Sequence, residues 1–375
     1  MKTAVTKAKA FLKSRHQQVH AAMKQLGLDA MLLTHTPDIA YLTEFTGDDS
    51  VALITDKDFY LISDFRYQEQ IELECAWVKL TLRDGKMADA LAMLLGQLKF
   101  KKLGFDADHT TVGQLDSLVE AMTSRKVAQP ELAPVQEVLA NIRKVKDDTE
   151  VDLIRKSIAI AEESFEAVLE MIQVGLTENH LAGLLLSEMR SRGAMQDSFP
   201  PIIASGAHSS LPHYRPGDQP ILKDAPLLID WGALYRGYCS DLTRTLLVGR
   251  VDPKIREIYK VVLQAQQEAI RFIRPGVTTV EVDAVARDII TKAGYGKEFG
   301  HGLGHGIGRE VHELPTLRKM LPGDELRPGM IVTVEPGIYI KGLGGVRIED
   351  DVLITHSGCE VLSSLDKSLE ACHIE

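Results

Sequence analysis

The chain has 375 residues, a length at which a single hydrophobic core usually gives way to two domains. Its composition, 45% apolar and 26% charged, is typical of a globular protein that folds in water, and no apolar run of about 18 residues could span a membrane. A net charge of −10 argues against a nucleic-acid partner, because phosphate binding needs clustered lysine and arginine. The basic start lacks the apolar core of a secretory signal, so we expect a cytoplasmic location.

Residues 1–134 alternate strand and helix patterns and predict an α/β domain. A helix over residues 12–26 ends at Gly27, and a strand and a turn at Pro37 follow. This region contains no cluster of acids and histidines and no glycine-rich phosphate loop, so we expect a supporting, lid-forming or oligomerising role. Further strands and helices alternate after the turn, namely strands 51–55, 59–63, 77–81 and 102–104 and helices 66–74, 87–98 and 111–122.

The segment QPELAP within residues 128–134 breaks this pattern and predicts a linker. Beyond it, residues 135–375 predict an α+β domain, in which helices accompany a mainly antiparallel sheet. Asp147 and Glu150 have the spacing of a capping box at the start of a long helix, and Thr177 can cap the next one. Two more helices, 253–274 and 279–293, separate two strand-rich regions, 195–250 and 299–362.

The stretch 227–245 reads as a β-hairpin that carries two acids in an apolar ribbon. If its loop is centred on Arg236 and Gly237, Asp230 lies diagonal to Asp241 on the same face, about 7–8 Å away at the backbone. Paired like charges destabilise a sheet unless a cation lies between them, so a divalent metal is the first hypothesis. Two solvated aspartates on an exposed ribbon are the alternative. A loop longer or shorter by one residue would send the two side chains to opposite faces.

A short repeat relates this hairpin to a second one. An acid two residues before a glycine, with another glycine five residues later, occurs at Asp230 and again at Glu335. Each unit ends in a strand with an embedded acid, Asp241 in one and Glu349 in the other, and each follows a pair of helices. Two related halves that face each other would bring the four carboxylates into one cleft. We interpret the neighbouring acids Asp350 and Asp351 as solvated residues at a strand end.

Three histidines, His301, His305 and His312, lie between the two hairpins in EFGHGLGHGIGREVHELP. The alternating glycines oppose a helix and predict an extended segment pressed against other backbone or a ligand. Four carboxylates would be neutralised by two divalent cations. Oxygen ligands with one imidazole suit manganese, cobalt, iron or zinc, and the four scattered cysteines form no CxxC pair that would hold a structural zinc. Two such ions can activate a bridging water and polarise a carbonyl, which implies hydrolysis.

Five segments in this order resemble the motifs of the M24 metallopeptidases, the "pita-bread" group. They are LPHY (211–214), IDWG with YCSDLTRT, HGLGHGIGREVHE, TVEPGIY (333–339) and GVRIEDD (345–351). Within the group, the chain resembles Xaa-Pro aminopeptidases and prolidases, and DAMLLTHTPDIAYLTEFTG resembles the creatinase/prolidase N-terminal domain. The resemblance implies a pita-bread domain with pseudo-twofold halves, and a homodimer.

The resemblance also implies the roles of individual residues. Asp230 would chelate one metal, His305 and Glu335 the other, while Asp241 and Glu349 would bridge the pair. His213, His301 and His312 would contact the substrate and transfer protons, and Arg347 is expected to orient Glu349. All five metal-ligand positions match the family pattern, which disfavours its metal-free branch.

The resulting hypothesis is a two-metal exopeptidase, with manganese first among the candidate ions, that removes an N-terminal residue before proline. A hydroxide that bridges the metals would attack the carbonyl, His312 would stabilise the oxyanion and Glu335 would transfer the proton. We place an Xaa-Pro aminopeptidase first and a prolidase restricted to dipeptides second. A methionine aminopeptidase, tested on Met-Ala peptides, and an inactive binding module, tested by metal analysis, are further alternatives.

Overall fold

The computed structural model describes residues 2–320 and 322–374, and the chain divides into two compact units, Met1–Ile142 and Arg143–Glu375. The division therefore falls later than the boundary predicted after residue 134. The reason is that the predicted linker contains a strand, Glu131–Val135, which pairs in parallel with Lys102–Asp106. Pro134, which has no backbone N–H to donate, is compatible with this strand because the strand lies at the edge of the sheet, where the outer side of the backbone has no neighbouring strand.

The N-terminal unit has the α/β architecture that the sequence predicts. Pro37 lies in the first turn of a helix, so the turn predicted there is wrong; proline fits this position because the first N–H groups of a helix need no intrahelical partner. The elements in chain order are α1 Lys2–Leu26, β1 Ala30–Leu33, α2 Thr36–Thr43, β2 Val51–Thr55, β3 Phe59–Ser63, α3 Gln68–Cys75, β4 Lys79–Leu82, α4 Met87–Leu98, β5 Lys102–Asp106, α5 Val112–Ser124, β6 Glu131–Val135 and α6 Val138–Arg143.

Six strands of this unit form one sheet in the order β4-β3-β2-β1-β5-β6. The central strand β1 is antiparallel to β2 and parallel to β5. Its side chains alternate between two hydrophobic clusters, with Met31 and Leu33 in one and Ala30 and Leu32 in the other. Both faces of the sheet are therefore covered, as an apolar central strand requires.

The C-terminal unit is α+β, as predicted. Its first long helix begins with the capping box formed by Asp147 and Glu150, and Thr177 caps the next helix. The elements are α7 Asp148–Leu169, α8 Glu178–Ser191, β7 Gln196–Asp197, β8 Ile202–Ser205, β9 Ala225–Trp231, β10 Ala233–Tyr235, β11 Tyr238–Cys239, β12 Leu242–Val248, α9 Pro253–Phe272, α10 Thr279–Lys292, β13 Gly304–Gly306, β14 Glu313–Leu317, β15 Ile331–Val334, β16 Gly337–Ile340, β17 Gly344–Arg347, β18 Asp350–Ile354, β19 Cys359–Val361 and β20 His373–Ile374.

The two halves of the C-terminal unit repeat the same local structure where their second helices begin. Before α8, the N–H of Gly175 donates to the carbonyl of Ile221, and Thr177 forms a bridge with Pro220. Before α10, the N–H of Gly276 donates to Leu326, and Thr278 forms a bridge with Glu325. This correspondence extends the short repeat seen in the sequence and confirms the pseudo-twofold arrangement.

One hydrophobic core joins the helices and sheets of this unit. Trp231 is fully buried in it and stacks on Phe165 with ring centroids 4.4 Å apart. Two main sheets, ordered β20-β12-β9-β8 and β14-β13-β15-β18-β19, carry the two acidic hairpins. Among the described residues, none of the helices combines the length and the apolar character needed to cross a bilayer.

Candidate metal centre

A cavity of about 490 Å³ in the C-terminal unit contains every residue that the sequence singles out for chemistry. Its floor is acidic and its rim carries imidazole and guanidinium groups. Of the twenty-one lining residues, the nine predicted site residues are Asp230, Asp241, Glu335, Glu349, His213, His301, His305, His312 and Arg347.

The first hairpin has the register that its turn residues predict. Arg236 and Gly237 both have positive φ angles, 48° and 77°, as a tight two-residue turn requires, and Tyr235 pairs with Tyr238. Farther along, Thr243 pairs with Asp230. Asp241 therefore lies two residues from the position opposite Asp230, which is the predicted diagonal arrangement on one face.

The second hairpin places its acids differently. Val334 pairs with Asp350, and Gly337 pairs with Arg347, so Glu335 and Glu349 lie opposite each other just beyond the ends of β15 and β18. The N–H of Glu349 donates to the carbonyl of Thr243 over 3.2 Å. This bond joins the second hairpin to the first beside Asp230.

Gly304 and Gly306, two of the alternating glycines before His312, allow strand β13 to lie very close to the backbone of its neighbouring strands, as the sequence predicts. A Cβ on Gly304 would lie 2.0 Å from the carbonyl oxygen of Thr333, and one on Gly306 would lie 2.2 Å from that of Leu314. Both distances are far below any tolerated contact. Strand β13 therefore inserts closely between β14 and β15 and delivers His305 to the cavity.

His305 presents an unprotonated nitrogen to the acids. Its Nδ1 lies 3.0 Å from the carbonyl oxygen of Gly306, and since a carbonyl can only accept, the proton is on Nδ1. The lone pair on Nε2 then lies 3.6 Å from Asp241 Oδ2 and 3.4 Å from Glu335 Oε1. Three electron-rich atoms this close repel one another unless a cation lies among them, and edges of this length are typical of ligands around one ion with bonds of about 2.0–2.2 Å.

The pKa shifts of these side chains also indicate that a cation lies among them. Burial and the charges of Glu349, Asp230 and Glu335 raise the pKa of Asp241 well above its ordinary value. Burial and neighbouring acids likewise raise the pKa of Glu349. Burial also raises the pKa of Glu335, to about 8, although Arg347 opposes the shift. Burial lowers the pKa of His305 to about 4, so the imidazole is neutral at pH 7 and its nitrogen can bind a metal.

These residues fit two divalent metal ions. Asp241, His305 and Glu349 each offer one atom within 4.8 Å of the others. Asp230 Oδ1 is buried and has no hydrogen-bond partner among residues 2–320 and 322–374, as expected for an oxygen that binds an ion. Four carboxylates and one imidazole form a donor set suited to hard or borderline dications.

Arg347 contacts Asp230 directly, and it reaches Glu349, the acid that the sequence predicted it to orient, through Thr243. Its Nε donates to the hydroxyl of Thr243 over 3.1 Å, and that hydroxyl donates to Glu349 Oε2 over 2.7 Å. Arg347 thus orients one acid directly and the other through Thr243. Sequence reasoning missed Thr243, although its position two residues after Asp241 places both side chains on one face of the hairpin.

His301 belongs to a hydrogen-bonded chain behind the acids. Its Nδ1 donates to the carbonyl of Gly302 over 2.7 Å, so Nε2 accepts the hydroxyl proton of Tyr339 over 2.9 Å. The same hydroxyl accepts from Arg347 over 2.8 Å. Burial and Arg347 lower the pKa of His301 to about 4. His301 is therefore a neutral acceptor in this structure.

His213 and His312 lie at the exposed rim of the cavity. Burial and the neighbouring His213 lower the pKa of His312. The ring of His312 makes an edge contact with His305 at 4.3 Å between centroids. Both rim histidines line the same cavity as the four acids.

A buried ion cluster holds the segment that carries His312. Glu313 receives hydrogen bonds from Arg143 and, over 3.0 Å, from Lys146. Burial alone would raise the pKa of Glu313, but Lys146 and Arg143 outweigh it and hold the pKa at about 2. This cluster could not be predicted from the sequence, because Glu313 lies about 170 residues from Arg143 and Lys146.

Asp350 and Asp351 are buried, so their interpretation as solvated residues is wrong. Asp350 accepts from Arg244 over 2.9 Å and from Gln266 over 2.7 Å. Asp351 Oδ2 accepts the N–H of Asp241 over 3.2 Å. These acids fix the strands behind the cavity, a role that requires partners distant in sequence.

Comparisons with known proteins agree with this geometry. The pattern of metallopeptidase family M24 matches residues 152–356, and that of the creatinase/prolidase N-terminal domain matches residues 15–145. The chain belongs to metallopeptidase family M24. The predicted enzyme class, metallopeptidase, and the predicted fold are therefore confirmed.

Several members of the family are similar over nearly the whole chain. An Xaa-Pro dipeptidase of Pyrococcus horikoshii is 36% identical over 92% of this chain and 96% of its own length. Among solved structures, an Xaa-Pro dipeptidase from Bacillus anthracis has a TM-score of 0.91 and 38% identity, covering 97% of this chain and 100% of that one. An X-Pro aminopeptidase from Thermotoga maritima has a TM-score of 0.85 and 34% identity, covering 92% of this chain and 99% of that one.

Proposed function

We propose that this M24 peptidase hydrolyses the peptide bond between an N-terminal residue and proline, and that it prefers Xaa-Pro dipeptides. The observation that carries the proposal is the cluster of four acids around the free nitrogen of His305 at the base of a single cavity. Relatives named Xaa-Pro dipeptidase and X-Pro aminopeptidase share the fold at 34–38% identity.

Asp230 would hold one divalent ion, His305 and Glu335 the second, and Asp241 and Glu349 both. When bound, two such ions lower the pKa of a water between them and polarise the scissile carbonyl. Manganese is our first candidate, with cobalt, zinc and iron as alternatives, because oxygen ligands with one imidazole accept each of them.

The side chains around the ions supply proton transfer and orientation. Glu335, whose Oε1 lies 3.4 Å from His305 Nε2 at the base of the cavity, is suited to take the proton of the attacking water and pass it to the leaving nitrogen of proline. His312 would donate a hydrogen bond to the carbonyl oxygen as negative charge develops there. His213 would contact the substrate from the rim, and His301 would hold Tyr339 against Arg347.

The preference for dipeptides rests on two arginines in the cavity lining, Arg215 and Arg318, both solvent exposed. A dipeptide carries its carboxylate directly after the proline ring, and a guanidinium pairs well with a carboxylate. Phe199, Ile202 and Leu317 provide an apolar wall for the ring. The second candidate is the Xaa-Pro aminopeptidase that the sequence placed first. An aminopeptidase needs a cavity that stays open beyond the proline, so that a longer peptide can bind.

The test compares hydrolysis of Ala-Pro, Ala-Pro-Ala and Met-Ala by the manganese-supplied protein. We expect Ala-Pro to be the best substrate and Met-Ala to be inert. In R318Q and R215Q, kcat/KM for Ala-Pro should fall about 10- to 100-fold, since a hydrogen bond to a charged group contributes about 1.5–3 kcal/mol. R250Q, which changes an exposed arginine absent from the cavity lining, is the control. Faster turnover of Ala-Pro-Ala would establish the aminopeptidase, and no cleavage of either proline peptide would refute the proposal.

A cytoplasmic location and a homodimeric state also remain proposals, which fractionation of the source cells and sedimentation of the purified protein would test.

A further inference from the structure

A second group of side chains that could bind a metal lies in the N-terminal unit, whose sequence shows no cluster of acids and histidines. His35 follows strand β1, and His109 follows strand β5, which is parallel to β1 and paired with it. The carboxyl ends of neighbouring parallel strands are the usual place for a ligand in an α/β sheet. The hydroxyl groups of Thr34 and Thr110 are hydrogen bonded over 3.2 Å, which holds the two segments side by side.

His35, Asp38 and His109 can each offer one ligand atom, and these atoms lie within 4.8 Å of one another. His35 Nδ1 is 3.1 Å from Asp38 Oδ2. Because a carboxylate only accepts, His35 Nδ1 carries the proton in this contact, and a metal ion bound between the two side chains would replace that proton. The side chain of Asp38 is 3% exposed and is held at the start of α2.

His109 has a carboxylate partner that fixes its free nitrogen. Its Nδ1 lies 2.6 Å from Asp106 Oδ2, and because a carboxylate only accepts, the proton is on Nδ1. The lone pair is then on Nε2. A second carboxylate behind a ligating histidine is a recurrent feature of metal sites, since it orients the ring and makes the nitrogen more basic. Asp106 is itself held by the N–H of Asp108 over 3.0 Å.

The two imidazole rings are stacked, with centroids 3.6 Å apart and an interplanar angle of 11°. A metal lies in the plane of each ring that binds it, so one ion cannot bind both rings while they are parallel. The side chain of His109 is 39% exposed, whereas that of His35 is 14% exposed. Binding therefore requires the ring of His109 to tilt towards His35 and Asp38 while its Nδ1 keeps the hydrogen bond to Asp106.

We propose that His35, Asp38 and His109 bind one divalent transition-metal ion, with Asp106 as the supporting carboxylate of His109. Two imidazoles and one carboxylate suit zinc, cobalt, nickel or iron and disfavour magnesium and calcium, which take oxygen ligands. The ion would join the carboxyl ends of β1 and β5. The site is separate from the cavity of the C-terminal unit and shares no residue with it.

The test measures how many zinc ions the full-length chain binds. The metal-stripped protein is titrated with Zn²⁺ alone, and the complexes are counted by native mass spectrometry. H109Q should bind one zinc ion fewer than the wild type. D106N should keep the site but weaken its zinc affinity about 10- to 100-fold, the usual effect of losing a supporting carboxylate. H180Q, which changes an exposed histidine on α8, should bind as many zinc ions as the wild type.

The variant H305Q separates this site from the one in the C-terminal unit. The decrease in bound zinc ions in H305Q should be independent of the decrease in H109Q. The double variant H109Q/H305Q should therefore show the sum of the two decreases. Circular dichroism checks that H109Q is folded. We expect its spectrum to match that of the wild type, because the side chain of His109 is partly exposed. Equal zinc number and equal affinity in H109Q and the wild type would overturn the proposal, whatever H305Q shows.

Discussion

The two acidic hairpins hold their carboxylates by different means. In the first, Asp230 lies on a continuous ladder between β9 and β12, and a two-residue turn sets its register with Asp241. In the second, Glu335 and Glu349 lie just outside the paired strands β15 and β18. The backbone N–H of Glu335 donates to Leu303 and that of Glu349 donates to Thr243, so both depend on neighbouring segments. The first hairpin is organised locally, whereas the second is organised by the rest of the unit.

This difference suggests where the site is vulnerable. Replacing an acid of the first hairpin removes a metal ligand. Replacing a residue that only supports the second hairpin leaves the acids Glu335 and Glu349 in the chain but should displace their side chains. Thr243 connects the two arrangements, since its backbone pairs with Asp230 on one side and Glu349 on the other.

The largest effect is expected from Glu335→Gln. Loss of a proton-transfer group lowers turnover by about 10²- to 10⁴-fold, and Gln cannot take a proton. The measurement is kcat for Ala-Pro at saturating Mn²⁺, with bound metal determined on the same samples. E268Q, on the exposed face of α9, is the control. Full metal content together with an unchanged kcat would refute the assignment of Glu335.

The next effect is on stability, through the ion cluster that supports the second half. Lys146 and Arg143 hold the pKa of Glu313 at about 2, against an ordinary value of 4.5. A lowered pKa stabilises the fold above about pH 4.5, and this contribution disappears as the pH falls towards 2. At pH 7, E313Q should therefore lower the free energy of unfolding by about 3 kcal/mol, because each pKa unit corresponds to about 1.4 kcal/mol.

Urea unfolding at pH 7 and pH 3 tests this expectation. The difference between E313Q and the wild type should shrink at pH 3. E310Q changes an acid that also accepts from Arg143 but is 38% exposed, so it should cost about 1 kcal/mol or less. A difference for E313Q that is equal at both pH values would show that the charge of Glu313 contributes nothing.

A smaller effect is expected from Thr243→Val, which removes the hydroxyl between Arg347 and Glu349. Residues that orient metal ligands typically contribute 10- to 100-fold to metal affinity. We expect a loss of this size in the Mn²⁺ dissociation constant, measured by activity titration of the metal-stripped protein. T243S keeps the hydroxyl and should recover most of the affinity. If valine and serine behave alike, the two hairpins are not coupled through this bond.

The sequence predicted the first hairpin better than the second for a physical reason. Arg236 and Gly237 specify a tight turn, and the alternation of a strand then determines which side chains share a face. The loop of the second hairpin has three residues, 341–343, and its acids lie beyond the strands, so local rules did not give their positions. The short repeat identified Glu335 and Glu349 as acids of one cleft, and the resemblance to a known family then implied their roles as metal ligands.

The features that could not be predicted from the sequence are mainly interactions between segments that lie far apart along the chain. The burial of Asp350 depends on Arg244 and Gln266, and the cluster at Glu313 depends on Arg143 and Lys146. In the N-terminal unit, His35 and His109 are 74 positions apart and meet only because β1 and β5 are neighbours. Counting acids and histidines within a sequence window cannot detect such pairs.

Anomalous diffraction from crystals soaked in Mn²⁺ tests most directly whether the two hairpins form one shared site. We predict two peaks about 3.5–4 Å apart, the usual separation in two-metal sites, with Asp241 and Glu349 in contact with both and Asp230 and His305 on opposite sides. A single peak held by one hairpin alone, or no peak among the four acids, would contradict the shared site.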